Sequence, residues 1–387
     1  MFFHIAETCP IKSLIQVYPK LYLDKGWSTK NINDVKIWYK GYSTECNIES
    51  ALDQILDGYR PNGKWCVISS VNGDFKIMHP ILRGFPIYNS TYAITNIKSD
   101  EELNFIPCEF EYEAPIIGTS LDQAAEEIGN ILIENSTNFF RYNNIPKLNV
   151  LCSAGLDSIT SWAVVDSVLD NYSLQVYLPN IETDKTEQEK AGTIREYQSD
   201  LITLMDSISW GHNISSYFSE TNWYLTGFYA EVIQIREVIQ GNAIANFYKK
   251  QLASLPKESD YLYWFLQRPV RNKAPTCTTE EELRKWCYSA VFSDNQMWHL
   301  DNNFHFSPFH DIRITKVMNG VSLDDIVANA FNGIVQRKII ERIRPEFLQL
   351  VADYKNSRFV YLNFKKNFKH IKLSPKIEVN IRGVSLL

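Results

Sequence analysis

The hydrophobic pattern divides the chain into two textures that meet near Pro115. Before it, apolar residues come in short, aromatic-rich runs: 21–23 (LYL), 36–42 (KIWYKGY), and 64–71 and 74–79 on either side of Asn72-Gly73. Asn-Gly between alternating runs predicts a tight hairpin, because both residues tolerate the positive φ of a type I′ turn. Residues 81–88 and 91–97 are expected to be further strands, and 48–56 a short helix. Many antiparallel strands with few helices predict a sheet-rich α+β domain.

Beyond Pro115 the period lengthens. Ser120 and Gln123 have capping-box spacing, and Leu121, Ala125, Ile128, Ile131, Leu132 and Phe139 then recur on one helical face. A strand–helix alternation follows. Strands are expected at 148–152, 173–178 and within 213–218, with helices at 157–169 and 187–207. This is the rhythm of a parallel sheet covered on both faces. Further helices are expected at 231–251, 280–291, 323–344 and 346–354. The expected fold class is α/β, with domains at 1–117 and 118–387.

With 45% apolar and 22% charged residues, the 387-residue chain can bury large cores, so global disorder is excluded. Net charge is −6, which excludes a generic polyanion binder. The charge is uneven: residues 355–387 hold eight Lys or Arg against the single acid Glu378, leaving the remainder strongly acidic. Lys alternates with Phe and Tyr in 357–376, a pattern that suits nucleic-acid backbone contact and base stacking, or equally a solvated tail. The seven Cys form no C-x-x-C pair, which points to a reducing compartment rather than a disulfide framework or zinc ribbon. With no signal peptide at the N-terminus and no apolar run long enough to span a bilayer, a cytoplasmic location is expected. The seven His form no H-x-x-x-H or H-E-x-x-H pattern, so a metallohydrolase has little support.

The chemistry concentrates in Ser153-Ala154-Gly155-Leu156-Asp157-Ser158, between a buried strand and an amphipathic helix. In an open parallel sheet, ligands collect at the carboxyl ends of strands, and a helix start offers free N–H groups and positive potential. Small residues let the backbone close on an anion, with Gly155 free to take an unusual φ. Ser153 and Ser158 add hydroxyl donors. Asp157 repels phosphate directly, so its role would be to hold Mg²⁺. The same six residues would also serve as a plain capped strand-to-helix turn.

SAGLDS after an apolar strand resembles the S-G-G-x-D-S loop of the N-type ATP pyrophosphatases, and within them the asparagine synthetase B and β-lactam synthetase group. Thr226-Gly227-Phe228-Tyr229-Ala230-Glu231 is similar to that group's S-G-x-G-x-D-E motif, and Ser307–Asp311 to its P-F-L-D segment. Lys338-Ile-Ile-Glu-Arg342, Pro345 and Lys355 resemble its K-x-x-L-R helix, a proline and a later functional lysine. The resemblance implies an Ntn-like N-terminal domain and an adenine nucleotide α-hydrolase-like second domain. It also implies ATP and Mg²⁺ as cofactors, and a ligase that adenylates a carboxylate and transfers it to an amine or ammonia. It assigns nucleotide contacts to 153–158, Thr226 and Gly227, Mg²⁺ to Asp157 and Glu231, and catalytic roles to Lys355, Lys338 and Tyr229. Each has a plain alternative: Glu231 a solvated helix acid, Gly227 a turn residue, Asp311 a helix cap, Tyr229 a packing aromatic, the lysines surface residues.

The departures are specific. Ala154 and Tyr229 replace glycines of the two motifs, and Glu341 replaces the leucine of the helix motif. The chain begins Met1-Phe2-Phe3 where the group's glutaminases carry a cysteine after methionine, so glutamine hydrolysis is not expected. A base for the amine step would have to come from Tyr229, His305 or the substrate. Two rival functions stand beside the ligase: a base-modifying enzyme of nucleic acid, and a nucleotide-binding protein without catalysis. The expected partners are small-molecule acid and amine substrates, with no membrane.

Overall fold

The computed structural model describes residues 3–9, 14–85, 87–89, 93–95, 104–106, 118–145, 147–179, 223–227, 229–234, 281, 284–285, 304–352 and 360–384. The first part of the chain supplies β1 (Phe3–Ile5), β2 (Ile15–Tyr18), β3 (Leu21–Leu23), β4 (Ser28–Ile32), β5 (Val35–Ser43), helix α1 (Leu52–Leu56), β6 (Gly63–Val71), β7 (Asp74–Met78), β8 (Tyr88–Asn89), β9 (Ile94–Thr95) and β10 (Asn104–Phe105). They form two antiparallel sheets, ordered β4-β5-β6-β7 and β10-β8-β9-β1-β3-β2. The hairpin forms as expected: Asn72 (φ 52) and Gly73 (φ 88) link β6 to β7, with Val71 opposite Asp74.

Strand β6 is buried along nearly its whole length because it is covered on both faces. Cys66 and Ile68 meet Phe3, Leu21 and Leu23 of the six-stranded sheet, while Trp65 and Val67 meet Leu52 and Ile55 of α1. Residues 81–85 form no strand, and among the described residues of this stretch the strands are β8 and β9; residues 86, 91–92 and 96–97 of the expected strands lie outside the described residues. The physical reason is Arg83: it is buried in this stretch and its guanidinium donates to the carbonyls of Phe85 and Ile106, so the stretch bends around a cation instead of pairing.

The later part forms a five-stranded parallel sheet from β11 (Leu148–Cys152), β12 (Ser173–Pro179), β13 (Trp223–Leu225), β14 (Phe304–Phe306) and β15 (Glu378–Val384). The order is β14-β13-β11-β12-β15, so the chain leaves the central β11 first to one side and later to the other. Its helices are α2 (Leu121–Tyr142), α3 (Leu156–Val168), α4 (Glu231–Gln234), α5 (Ile312–Asn319), α6 (Leu323–Asn332), α7 (Ile334–Ile343), a 3₁₀ turn (Pro345–Leu350) and α8 (Val360–Phe368). The expected strand at 213–218 and helix at 187–207 lie outside the described residues, as do most of 235–251 and 280–291. The capping box is present on α2: Ser120 Oγ accepts from Gln123 N at 3.2 Å, and Gln123 Oε1 accepts from Ser120 N at 3.0 Å. No helix among the described residues is long and apolar enough to cross a membrane.

The single helix expected over 323–344 is two. Gly333 adopts φ 58 between α6 and α7, and a Cβ there would fall 2.0 Å from Leu156 Cδ2. The residue is glycine because the chain must turn left-handed where it also meets the start of α3. The basic C-terminal segment is also more than a tail. Phe364 and Phe368 of α8 belong to the core around Trp162, and β15 pairs in register with β12 from Ser173–Glu378 to Pro179–Val384.

An aromatic seam joins the antiparallel and parallel parts. Phe139 of α2 stacks on Phe306 of β14 (3.9 Å, 5°), with Tyr42 of β5 and Trp223 of β13 edge-on around them. Phe139 is fully buried, so Phe139→Ala is expected to cost about 3–5 kcal/mol. Denaturant unfolding reads this as a lowered midpoint at unchanged slope; a loss below about 1 kcal/mol would mean the seam does not carry the packing assigned to it.

Candidate functional site

Strand β11 ends at Cys152, and the chain turns sharply into α3. Ala154 makes the turn with φ 59, a left-handed conformation that costs a non-glycine residue about 1–2 kcal/mol. Gly155, by contrast, is an extended N-cap (φ −68, ψ 155) without a side-chain capping bond. The expectation that Gly155 supplies the unusual φ is therefore corrected: Ala154 does. The hydroxyls organise the bend. Ser158 Oγ accepts from Ser153 N at 3.2 Å and donates to Gly155 O at 2.9 Å, and it lies 3.2 Å from Ser153 Oγ. Ala154 O accepts from Ala352 N at 2.8 Å, which pins the bend to the chain beyond the 3₁₀ turn. Ala154 is buried, whereas Ser153, Gly155, Leu156 and Asp157 are half-buried, so the loop reaches the surface through four of its six residues. The thiol of Cys152 is pushed up to about 11 by burial and stays neutral.

The loop lies at the carboxyl end of β11, where the strand order reverses. Ligands bind in open α/β sheets at such a crevice. On the other side of the reversal, β13 ends at Leu225 and brings the second motif alongside. Ser161 Oγ donates to Thr226 O at 3.2 Å. Gly227 sits directly on the first turn of α3: a Cβ there would be 2.7 Å from Asp157 C and 2.8 Å from Ser158 N. Gly227 thus serves a close backbone approach, made to the first turn of α3 itself. Thr226 Oγ1 is buried without a hydrogen-bond partner among the described residues.

Tyr229, expected as a catalytic residue, is fully buried with φ 67, and its hydroxyl donates to Gly84 O at 2.8 Å. It anchors the second motif to the antiparallel part, and its hydroxyl is engaged as a donor rather than offered as a base. Glu231 begins α4. Lys338, expected near the phosphates, instead pairs with Asp122 of α2, one i,i+4 step before Arg342 pairs with Glu126 at 3.2 Å. Those two pairs lace α7 to α2, which is where the structure places Lys338. Lys355 lies outside the described residues. Asp311 caps α5: its carboxylate accepts from Arg313 N at 2.8 Å and from the Arg313 guanidinium.

Sequence reasoning missed Gln336. It is fully buried on α7, and its Nε2 donates to Asp157 Oδ1 at 2.6 Å. The signal was present: Gln336 interrupts the apolar face made by Val335, Ile339 and Ile340. It also missed a basic cluster at the seam. Lys64 of β6 is buried with its Nζ 3.2 Å from His305 Nε2 and 5.9 Å from the Tyr229 ring, and His310 packs 4.6 Å from that ring. An ammonium must donate, so His305 Nε2 is the unprotonated acceptor and its proton sits on Nδ1. Burial first, and then the Lys64 charge, lower the pKa of His305 well below its ordinary value and that of His310 to about 3. His305, a candidate base from sequence, has its lone pair engaged in the seam and does not serve as one.

Two expectations follow. These histidines carry pKa values depressed in the folded state, as does His79, lowered to about 4 chiefly by burial. The unfolded chain therefore takes up protons first as pH falls below about 6.5, and stability present above that value is lost on the acid side. His310 alone is expected to contribute a loss of about 2 kcal/mol between pH 7 and pH 5. Denaturation midpoints across that range measure it, with a shallower slope in His310→Gln; a flat wild-type profile would contradict it. Gly227→Ala is expected to destabilise by about 2 kcal/mol or more, since the atoms it meets are backbone and cannot yield cheaply. A neutral result in the same assay would disprove the close approach.

No protein-family model matches this chain, and no curated protein is significantly similar to it.

Proposed function

We propose that residues 153–158 hold the triphosphate of ATP and that the protein is an ATP-dependent amide-forming ligase of the asparagine synthetase type, not fed by glutamine. One observation carries this reading. At the two motif positions where this chain replaces glycine, Ala154 and Tyr229, the backbone keeps the left-handed conformation that glycine favours (φ 59 and 67), whereas the retained Gly155 is extended (φ −68). A plain strand-to-helix turn has no reason to hold an alanine there, and strain of this kind concentrates at ligand sites. The position of the loop, at the reversal point of a parallel sheet and beside the second motif, supports the same reading. Under it, residues 1–117 form an Ntn-like domain, consistent with two stacked antiparallel sheets, and 118–387 form the synthetase domain.

In the first step a substrate carboxylate oxygen attacks the α-phosphorus. The bond from that phosphorus to the bridging oxygen breaks, and pyrophosphate leaves with the electron pair. In the second, an amine nitrogen attacks the acyl carbon, the C–N bond forms, AMP departs, and the amine loses a proton to solvent or substrate. The chain's part is to receive anionic charge. The helix start and the Ser153 hydroxyl face the phosphates, the Ser158 hydroxyl shapes the bend by donating to Gly155 O, and Lys355 is the cation assigned to the intermediate. Mg²⁺, held by Asp157 with Glu231 as the second carboxylate, would supply neutralisation of phosphate charge. The donor set fits that ion, which takes one or two carboxylates together with phosphate oxygens and water rather than a full protein cage.

The test is ATP–pyrophosphate exchange with a metabolite extract as the acid pool. Wild type is expected to exchange label, and Asp157→Asn to lose at least about 100-fold while unfolding at an unchanged temperature. Normal exchange by that variant would defeat the site assignment. ATP binding with no exchange from any pool would convert the reading to a nucleotide-binding protein without chemistry.

A further inference from the structure

Gln336 of α7 reaches the 153–158 loop through a polar bond. Its Nε2 donates to Asp157 Oδ1 at 2.6 Å, while its Oε1 is buried with no hydrogen-bond partner among the described residues. An orphaned buried acceptor is destabilising, and a leucine or methionine would fill the same space without it. The amide cannot escape by turning over, because Oε1 would then face the carboxylate of Asp157. The orphan oxygen is thus the consequence of presenting a donor to Asp157. Two further features bring Gln336 there. The left-handed Gly333 starts α7 against Leu156, and Asn329 Oδ1 accepts from Val335 N at 2.8 Å, fixing the first turn of α7.

We propose that Gln336 is a positioning residue: it holds one oxygen of Asp157, fixing the rotamer of the carboxylate so that it presents itself to a divalent cation. This rests on the Asp157 assignment above. Residues that hold a ligating group by hydrogen bonding tune affinity, and losing one typically costs about 10–100-fold.

The test is Mn²⁺ binding to the full chain, followed by paramagnetic resonance without nucleotide and with ATP. Gln336→Met keeps the volume and removes the donor. It is expected to unfold at the same or a higher temperature, yet bind Mn²⁺ in the presence of ATP at least about tenfold more weakly. Unchanged Mn²⁺ affinity in Gln336→Met overturns the positioning role. Asp157→Asn separates the two levels. If it binds Mn²⁺ like wild type, the Asp157 assignment itself fails; if it loses the ion while Gln336→Met does not, only the role of Gln336 fails.

Discussion

The first turn of α3 is the point on which the rest of the molecule converges. Two segments distant in sequence, the end of β13 and the start of α7, approach it so closely that side chains are excluded or dictated. Gly227 lies on the Asp157–Ser158 peptide, Gly333 lies under Leu156, and Gln336 reaches Asp157. Main-chain contact of this kind leaves no freedom to slide. A shift of β13 or α7 by a fraction of an ångström would be felt at the loop. Packing interiors are stiff for the same reason: there is no void to absorb displacement. The loop therefore inherits its shape from the arrangement of the whole parallel part, and its strained alanine persists because neighbours over-determine it.

The antiparallel part enters this arrangement through Tyr229. Its backbone is left-handed like that of Ala154, and its hydroxyl is spent on Gly84 rather than on solvent. Around it Lys64, His305 and His310 bury positive and neutral nitrogen groups against one another. Such a cluster is stable only with the imidazoles neutral, which ties the integrity of the seam to pH. A seam built on apolar residues alone would have been indifferent to acid. The aromatic stack of Phe139 on Phe306 supplies that indifferent part, and the basic cluster supplies the sensitive one.

What the sequence made legible was local. Asn72-Gly73, the Ser120–Gln123 box and the run from Leu148 into α3 each encode their structure within a few residues, and each formed as read. What it hid depended on partners far along the chain. Arg83 breaks an expected strand only because Ile106 offers a carbonyl, and Gly333 splits a periodic helix only because Leu156 occupies its other side. The three-residue strands β13 and β14 are too short for alternation to register, and their pairing is set by the sheet they join. Lys338 looked catalytic from its motif, yet Asp122, more than two hundred residues earlier, claims it. Gln336 went unread, because a lone amide in an apolar stripe acquires meaning only with Asp157 opposite it.

The pattern of departures from the resembled motifs then takes on a physical meaning. Replacing glycine by alanine at a left-handed position raises the energy of the native turn but narrows the unfolded ensemble, so the two effects oppose each other. Replacing glycine by tyrosine at Tyr229 adds a buried ring and a hydrogen bond, which offset the backbone cost from a different source. Both residues hold the left-handed backbone that glycine favours (φ 59 and 67). A turn can therefore lose its signature glycines and keep this conformation, provided neighbouring segments hold it. That is the condition Ala352, Gly84 and Gln336 meet here. Motif divergence at such a site is thus weak grounds for concluding that binding is lost; the conformation of the turn is the stronger criterion.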